Sequence, residues 1–468
     1  MPAQSSSLRF ERLEARDTPA ALVAPTAAPS DPSVGSQWGL AAINAQRGWD
    51  TATGTGRTIV AVVDTGVDLT HPDLKGNLWR NAGEVPGNGR DDDGNGYIDD
   101  VHGYDFANND ADPTDERGHG THVAGIIGAA GNNGIGGSGV AWRTRIMVLK
   151  IFDANGNGST AGGAKAIEYA VRNGAKVINC SWGGSGPDTD LEFALAQARA
   201  AGVIVVASAG NDGLNNDVTP AYPADYARTS DNTVAVAATT RTTGLARWSN
   251  YGPASVAVAA PGDNVVSTAR GGGTTAKSGT SMAAPFVSGA LAVLWDKNPT
   301  WTYQQVLAKL KATVETQTSL AGKVTTGGEL DLAKLLDAPA PTVPPIVPPA
   351  VPTTTTPKPL AGNLSGTAVT DFRTTRATFN VTEDKTVGTV RLTVDLTHAR
   401  TSDLQLRLTS PDGRKAVLFN RTAGANLAGA TFSSTAFAGL RSKGTWTLEI
   451  FDVVSGATGT VRSAGLLV

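Results

Sequence analysis

The chain has 468 residues, too many for one typical domain, and 40% of them are hydrophobic, which is enough for folded cores rather than wholesale disorder. Its 39 basic and 42 acidic residues leave a formal net charge of −3, so there is no basic field to gather nucleic acid. Cys180 is the single cysteine, which excludes an internal disulfide; within its apolar run it is a small buried hydrophobe or, less ordinarily, a nucleophile.

In chain order, residues 1–30 form an Ala-, Pro- and Ser-rich leader without the basic, apolar and small-residue order of a signal peptide. Its opening SLRFERLEARDTPA resembles the amino-terminal signature of many secreted or surface proteins of planctomycetes, which implies export. No run approaches 18 apolar residues, so a membrane-spanning helix is not expected. From 31 to 337, short β-branched runs alternate with helical stretches. TIVAVVDTG, RIMVLKIF, KVINCSWGG, VIVVASAGN and NTVAVAAT have strand character, whereas AGGAKAIEYAVRNG and TDLEFALAQARAAG have helix character. That alternation predicts an α/β domain, a buried parallel sheet with helices on both faces. The Pro/Thr-rich stretch 338–360 is a spacer, since proline fixes φ and removes donors. From 361 to 468 the pattern changes to period two in TVRLTVDL, DLQLRLTSPDG, KAVLF and GTWTLEIFD, which predicts an all-β jelly roll or sandwich.

Three segments each place a reactive group beside glycine. Asp64 ends the apolar strand AVVDTG, where an aspartate serves equally as a turn cap or a metal ligand. His119 opens GHGTHVAG, and His122 three positions on leaves a metal pair open, although no HExxH pattern accompanies it. Ser281 lies in SGTSMAAPFVSGALAVL, where small residues give way to an apolar helix. A serine there is an N-cap, or a hydroxyl presented where helix amides face developing negative charge. Together they supply a nucleophile, a base for its proton and a carboxylate to orient the base, in one of the chain orders known for this constellation.

DTGVDLTHPDL, HGTHVAGIIG, ASAGN and GTSMAAPFVSGA closely resemble the signature segments of the subtilisin-like serine proteases, over residues 31 to 336. The resemblance implies a subtilisin-like fold, a serine endopeptidase acting on protein or peptide, and a triad of Asp64, His119 and Ser281. It makes Asn211 the side-chain donor of an oxyanion hole; the bland alternative is an asparagine that turns the chain after Gly210. It also places Ser181, Trp182 and Gly183 on one wall of the primary pocket, Ala207, Ser208, Ala209 and Gly210 on the other, and Tyr222 and Pro223 near its base. None of these side chains carries fixed charge, so a large apolar or aromatic residue before the cut is expected. Trp182 serves alternatively as an exposed lip.

The densest charge cluster is RDDDGNGYIDD. Asp91, Asp93, Asn95, Tyr97 (through its carbonyl) and Asp99 occupy the first five odd positions of an EF-hand-like loop, with Gly96 at the turn and His102 where the bidentate glutamate would stand. Asp100 is an alternative oxygen donor. Structural calcium is the expectation, a solvated acidic turn the alternative. The family resemblance alone suggests a second calcium site at Asp31, Asp73 and the loop around Asn133, and millimolar calcium outside the cell would fill even weak sites.

DLQLRLTSPDG, GTWTLEIFD and GATGTVRSAGLLV resemble the P domain, or proprotein-convertase homology domain, through Asp403, Leu404, Ser410, Pro411, Gly413, Gly444, Thr445, Trp446 and Asp452, with a shortened middle between Phe419 and Gly444. Cleavage after paired basic residues does not follow, because the primary pocket lacks acidic groups. Only about 30 residues precede the mature-like start, fewer than the roughly 70–80 of a full prodomain expected in secreted subtilases. The overall expectation is a secreted or surface, monomeric, calcium-stabilised endopeptidase. A processing protease of restricted specificity and a catalytically silent scaffold of the same fold are the alternatives.

Overall fold

The computed structural model describes residues 29–184, 186–242, 244–337, 360–361, 367–370, 373–421, 427–452 and 457–468. The leader up to residue 28 and the spacer 338–359 lie outside the described residues.

In the first part the strands are β1 (Ile59–Asp64), β2 (Gly103–Asp105), β3 (Arg145–Lys150), β4 (Val177–Cys180), β5 (Ile204–Ser208), β6 (Thr233–Thr239), β7 (Val258–Pro261), β8 (Val265–Thr268), β9 (Thr274–Lys277), β10 (Glu315–Thr316) and β11 (Gly328–Glu329). Nine of them form one sheet in the order β10-β11-β7-β6-β5-β4-β1-β3-β2, parallel throughout except for the β10–β11 pair; β8 and β9 make a separate antiparallel hairpin. The helices are α1 (Trp38–Ala42), α2 (Ala45–Trp49), α3 (His119–Gly128), α4 (Thr160–Arg172), α5 (Thr189–Ala200), α6 (Thr280–Lys297), α7 (Tyr303–Ala312) and α8 (Leu332–Asp337).

Alternation along the strands sorts side chains onto the two faces. Val60 and Val62, Ile146 and Val148, Val206 and Val236 join one core with α3 and α6. Ala61 and Val63, Met147 and Leu149, Ile178 and Val205 join a second with α4 and α5. This is why the strands read as unbroken apolar runs: both faces are covered. Helix α6 is buried almost all round, as its nearly uniform apolar sequence requires. It approaches α3 so closely that a Cβ on Gly289 would stand 2.9 Å from Ile127 O.

The order reverses at β1, whose neighbours are β3 on one side and β4 on the other. In a parallel sheet the crevice outside the carboxyl ends of the strands at such a reversal is where ligands bind. Asp64 ends β1 and Ser181 follows β4, so the sheet itself delivers both to one place.

The carboxyl-terminal part comprises β12 (Leu360–Ala361), β13 (Thr367–Val369), β14 (Thr374–Val381), β15 (Val390–His398), β16 (Leu404–Thr409), β17 (Lys415–Asn420), β18 (Ala430–Ser434), β19 (Gly444–Asp452) and β20 (Gly459–Leu467). They form two antiparallel sheets, β12-β20-β15-β18 with β13 on β20, and β14-β19-β16-β17. Every second residue of β14 and of most of β15 is buried, and their inward side chains meet around fully buried Trp446. The α/β and all-β classes expected from the two periodicities are both observed. The parts touch where Asn420 Nδ2 donates to Glu168 of α4 at 3.2 Å.

Candidate active site

Helix α3 begins at His119, and its first amides are met from outside the helix. Asp115, fully buried, accepts from the Gly118 and Thr121 amides at 2.8 and 2.9 Å, while Thr65 Oγ1 accepts from Gly120 N at 2.9 Å. Thr65 Oγ1 donates in turn to Asp115 at 2.8 Å. Gly120 cannot carry a side chain: its Cβ would stand 2.1 Å from Gly66 O and 3.1 Å from Asp64 Cβ. That close approach brings His119 against the end of β1. Its Nδ1 lies 2.7 Å from Asp64 Oδ1, which also accepts from Thr65 N at 2.8 Å. Asp64 is buried, and its Oδ2 has no hydrogen-bond partner among the described residues. Burial opposes the charged imidazole of His119, but the Asp64 carboxylate outweighs it, and the pKa stands above the ordinary value.

Ser281 occupies the first turn of α6. Its Oγ donates to Ser181 O at 2.9 Å, and Ser181 Oγ donates back to Ser281 O at 2.8 Å. The second bond has a clear origin. Pro285 lies four residues along α6 and has no N–H to give the Ser281 carbonyl, so a side chain from beyond β4 satisfies it. Ser181 is itself held by Asn179 Nδ2 at 2.9 Å, and Asn179 accepts from Ser288 of α6.

Asn211 follows β5, and its Oδ1 accepts from both Thr280 N and Thr280 Oγ1, at 2.8 and 2.9 Å. With the carbonyl end of the amide engaged, the Nδ2 end is the part of the side chain left as a donor. Gly210 supplies the left-handed turn before it, at φ +112°.

The pocket residues proposed from the sequence fall in two groups. Ala207, Ser208 and Ala209 line the end of β5, all buried. Gly183 and Gly184 run beside Tyr222, with Gly184 and Tyr222 exchanging backbone bonds of 2.8 and 2.9 Å, and Pro223 follows at the start of a 3-10 turn. Ser208 Oγ reaches Trp182 O at 3.5 Å, tying the groups together. The Trp182 ring lies over α4, 2.9 Å from where a Cβ of Gly163 would be, and its Nε1–H is buried without a partner among the described residues.

In the acidic loop, Glu84, Asp93 and Asp100 bring carboxylate oxygens within 4.8 Å of one another. Glu84 was not apparent in the sequence, because it precedes the aspartate run and matches no loop position. It accepts from Asp92 N and Asp93 N through Oε1 and from Asp99 N through Oε2. Asp91 is turned instead to the amides of Gly94, Asn95 and Gly96, and Asp99 to those of Asn88 and Gly89. Asn95 bridges Asp93 and Asp100, whereas the Tyr97 ring packs edge-on against Tyr104 and Tyr169. Asp100 is fully buried; burial first, and repulsion by Asp93 after it, hold its carboxyl above the ordinary value despite bonds from Tyr169, Asn95 and Asn81. Three converging carboxylates whose side-chain partners are neutral form a donor set that fits a hard cation.

Asp31, Asp73 and Asn133 also come together. Asp31 accepts from the amides of Asn132, Asn133 and Gly134, and Asn133 Nδ2 donates to Asp73 Oδ1 at 2.8 Å. Burial, with Asp31 adding repulsion, raises the Asp73 pKa.

Residues 55–334, more than half of the chain, match the Subtilase family, and residues 387–468 match the proprotein convertase P-domain. A thermophilic serine proteinase of Bacillus sp. strain AK1 is 42% identical over 260 residues, which are 56% of this chain and 57% of that protein. Thermitase of Thermoactinomyces vulgaris is 40% identical over 57% of this chain and 85% of its own. Subtilisin Savinase of Lederbergia lenta is 39% identical over 59% and 90%. The chain thus spans little more than half the length of the first relative and most of the other two. A protease structure from Pseudoalteromonas arctica superposes with a TM-score of 0.54 at 30% identity, over 66% of this chain and 98% of that one. No helix among the described residues is long and apolar enough to cross a membrane. The parallel sheet, the crevice at its reversal and these matches agree: the chain belongs to the subtilase family of serine proteases and carries a P-domain after its peptidase domain.

Proposed function

We propose that the crevice is the active site of a secreted, calcium-stabilised endopeptidase in which Ser281 is the nucleophile, His119 the general base and acid, Asp64 its orienting carboxylate and Asn211 an oxyanion donor. The observation that carries this reading is the 2.7 Å contact between His119 Nδ1 and buried Asp64, on the side of the ring away from Nε2. That contact fixes the tautomer with Nδ1 protonated, so Nε2 is the basic nitrogen.

Rotation of the Ser281 side chain turns its hydroxyl from Ser181 O to Nε2. Oγ attacks the scissile carbonyl carbon while His119 accepts the hydroxyl proton. The oxyanion is met by Asn211 Nδ2 and the Ser281 amide at the start of α6. His119 then gives the proton to the leaving amine, the peptide bond breaks, and water resolves the acyl-enzyme by the same route reversed. Ala207, Ala209, Gly183 and Tyr222 offer apolar walls without fixed charge, which favours a large apolar or aromatic residue before the cut.

Glu84, Asp93 and Asp100 would hold one calcium ion, with Asp31, Asp73 and Asn133 positioned for another; a bound ion would offset carboxylate repulsion. The domain limits 31–337 and 361–468 belong to the same proposal and are supported by the separation of the sheets into two sets. Reaction with an organophosphonate ester followed by peptide mapping tests the assignment: a single adduct on Ser281, absent from His119→Ala, is expected. An adduct elsewhere, or equal labelling of the variant, would contradict it.

A further inference from the structure

Hairpin β8–β9 is built onto α3, the helix that opens at His119, rather than onto β4 or β5. Thr268 Oγ1 donates to Thr121 O at 2.7 Å and Ser267 Oγ to His122 O at 2.8 Å. His122 Nε2 sits 3.0 Å from Val265 O and 3.1 Å from Thr275 O, reaching both strands from beneath. The hairpin tip is tied to the segment after β1, where Asp68 Oδ2 accepts from Gly271 N at 2.9 Å. The hairpin is therefore a fixed surface on the His119 side of the nucleophile.

Two cations stand on it. Lys277 ends β9, paired with Val265 and four residues before Ser281. Arg270 is exposed at the hairpin tip, its Cβ 3.4 Å from where a Cβ of Gly118 would be, directly before His119. Neither makes an ion pair among the described residues. The Lys277 charge reaches both His119 and His122, on each of which it acts to disfavour protonation.

On the peptidase reading the acyl half of a substrate would lie against Ser181–Gly183, which follow β4, whereas the hairpin is carried by α3. The leaving half departs where His119 hands over its proton, and that is the hairpin side. We propose that Lys277, with Arg270 behind it, is a specificity-determining residue that selects an acidic side chain in the first two positions after the scissile bond. The inference rests on the peptidase reading of the crevice. An unpaired ammonium at a half-exposed position attracts a carboxylate without first losing another partner, and it repels a basic side chain at the same place.

The test uses the full chain and peptides that differ only by Asp, Ala or Lys at the first and second positions after one cleavable bond. Wild-type kcat/KM for the Asp peptides is expected to exceed that for the Lys peptides by about three- to ten-fold at low salt, shrinking as salt is raised. Lys277→Gln brings the ratio towards one, and Lys277→Glu inverts it. A wild-type ratio at or below one overturns the proposal, as does a ratio that neither variant changes. No turnover of any peptide by the folded wild type would overturn the peptidase reading along with it, whereas turnover without charge preference would overturn the specificity claim alone.

Discussion

At the scale of single residues, the proposed base His119 would set the acid limit of the reaction. The base must be neutral, and its pKa stands above the ordinary imidazole value because Asp64 outweighs burial. Activity should therefore be full at alkaline pH and fall as pH drops through a pKa above about 6.5. Lys277 opposes protonation of the ring, so Lys277→Gln should move that acid limb upward; a limb that stays in place would remove Lys277 from the vicinity of the base. Asn211→Ala should lower kcat by about 10²–10³ with KM little changed, a magnitude that comes from subtilases themselves. Steady-state kinetics on one peptide reads both effects. The candidate triad and Asn211 could be proposed from the sequence because each lies in a short glycine-containing motif. Asp115 and Ser181 were harder to read: Asp115 acts through backbone amides of α3, and the bond from Ser181 to Ser281 arises because Pro285, in a distant segment, leaves a carbonyl free.

At the scale of elements, the buried strands β1, β3, β4, β5 and β6 could be read from the sequence as short apolar runs, three of them, β1, β4 and β5, flanked by nearby glycines. The hairpin β8–β9 could not: VVST and TTAK have no clean alternation, and what holds them is α3, more than 140 positions away in the chain for the His122–Val265 pair. His122 makes that attachment sensitive to acid. Burial pushes its pKa down to about 4, only partly offset by bonds to Thr275 and Val265. The unfolded chain binds this proton near pH 6.5 and the folded chain only near 4, so stability is full above about pH 6.5 and falls as pH drops towards 4. The loss approaches about 3 kcal/mol. Denaturant unfolding between pH 4 and 7 should show it, and the slope should flatten in His122→Gln. Glu84 shows a different limit of the sequence: the EF-hand-like spacing drew attention to the loop in which an acidic cluster converges, but the convergence of Glu84 with Asp93 and Asp100 depends on the loop folding back. Chelation should lower Tm, and in Glu84→Gln or Asp100→Asn the dependence of Tm on calcium should weaken. Calcium at 100 times its dissociation constant contributes about 2.7 kcal/mol.

At the scale of the whole molecule, the α/β part and the P-domain each close their own core, and among the described residues Trp446 and its neighbours share no cluster with the sheet of the peptidase part. Among the described residues the side-chain hydrogen bonds between them run from Asn420 to Glu168, with β17 also lying against α5, and no core cluster spans the two parts, which favours separate unfolding. Calorimetry should accordingly give two transitions, and Glu168→Ala should leave both midpoints within a degree or two; one merged transition would mean that the interface binds the parts into a single unit. The change of period from strand–helix alternation to period two made this division legible, since each period reports a different way of burying one face.

The most direct test of the central claim is hydrolysis of denatured casein in millimolar calcium by the purified chain and by Ser281→Ala. The account predicts cleavage by the parent and, in the equally folded variant, a loss of at least about 10³-fold. Comparable cleavage by both would contradict it, because the peptide bond would then be broken by something other than the Ser281 hydroxyl.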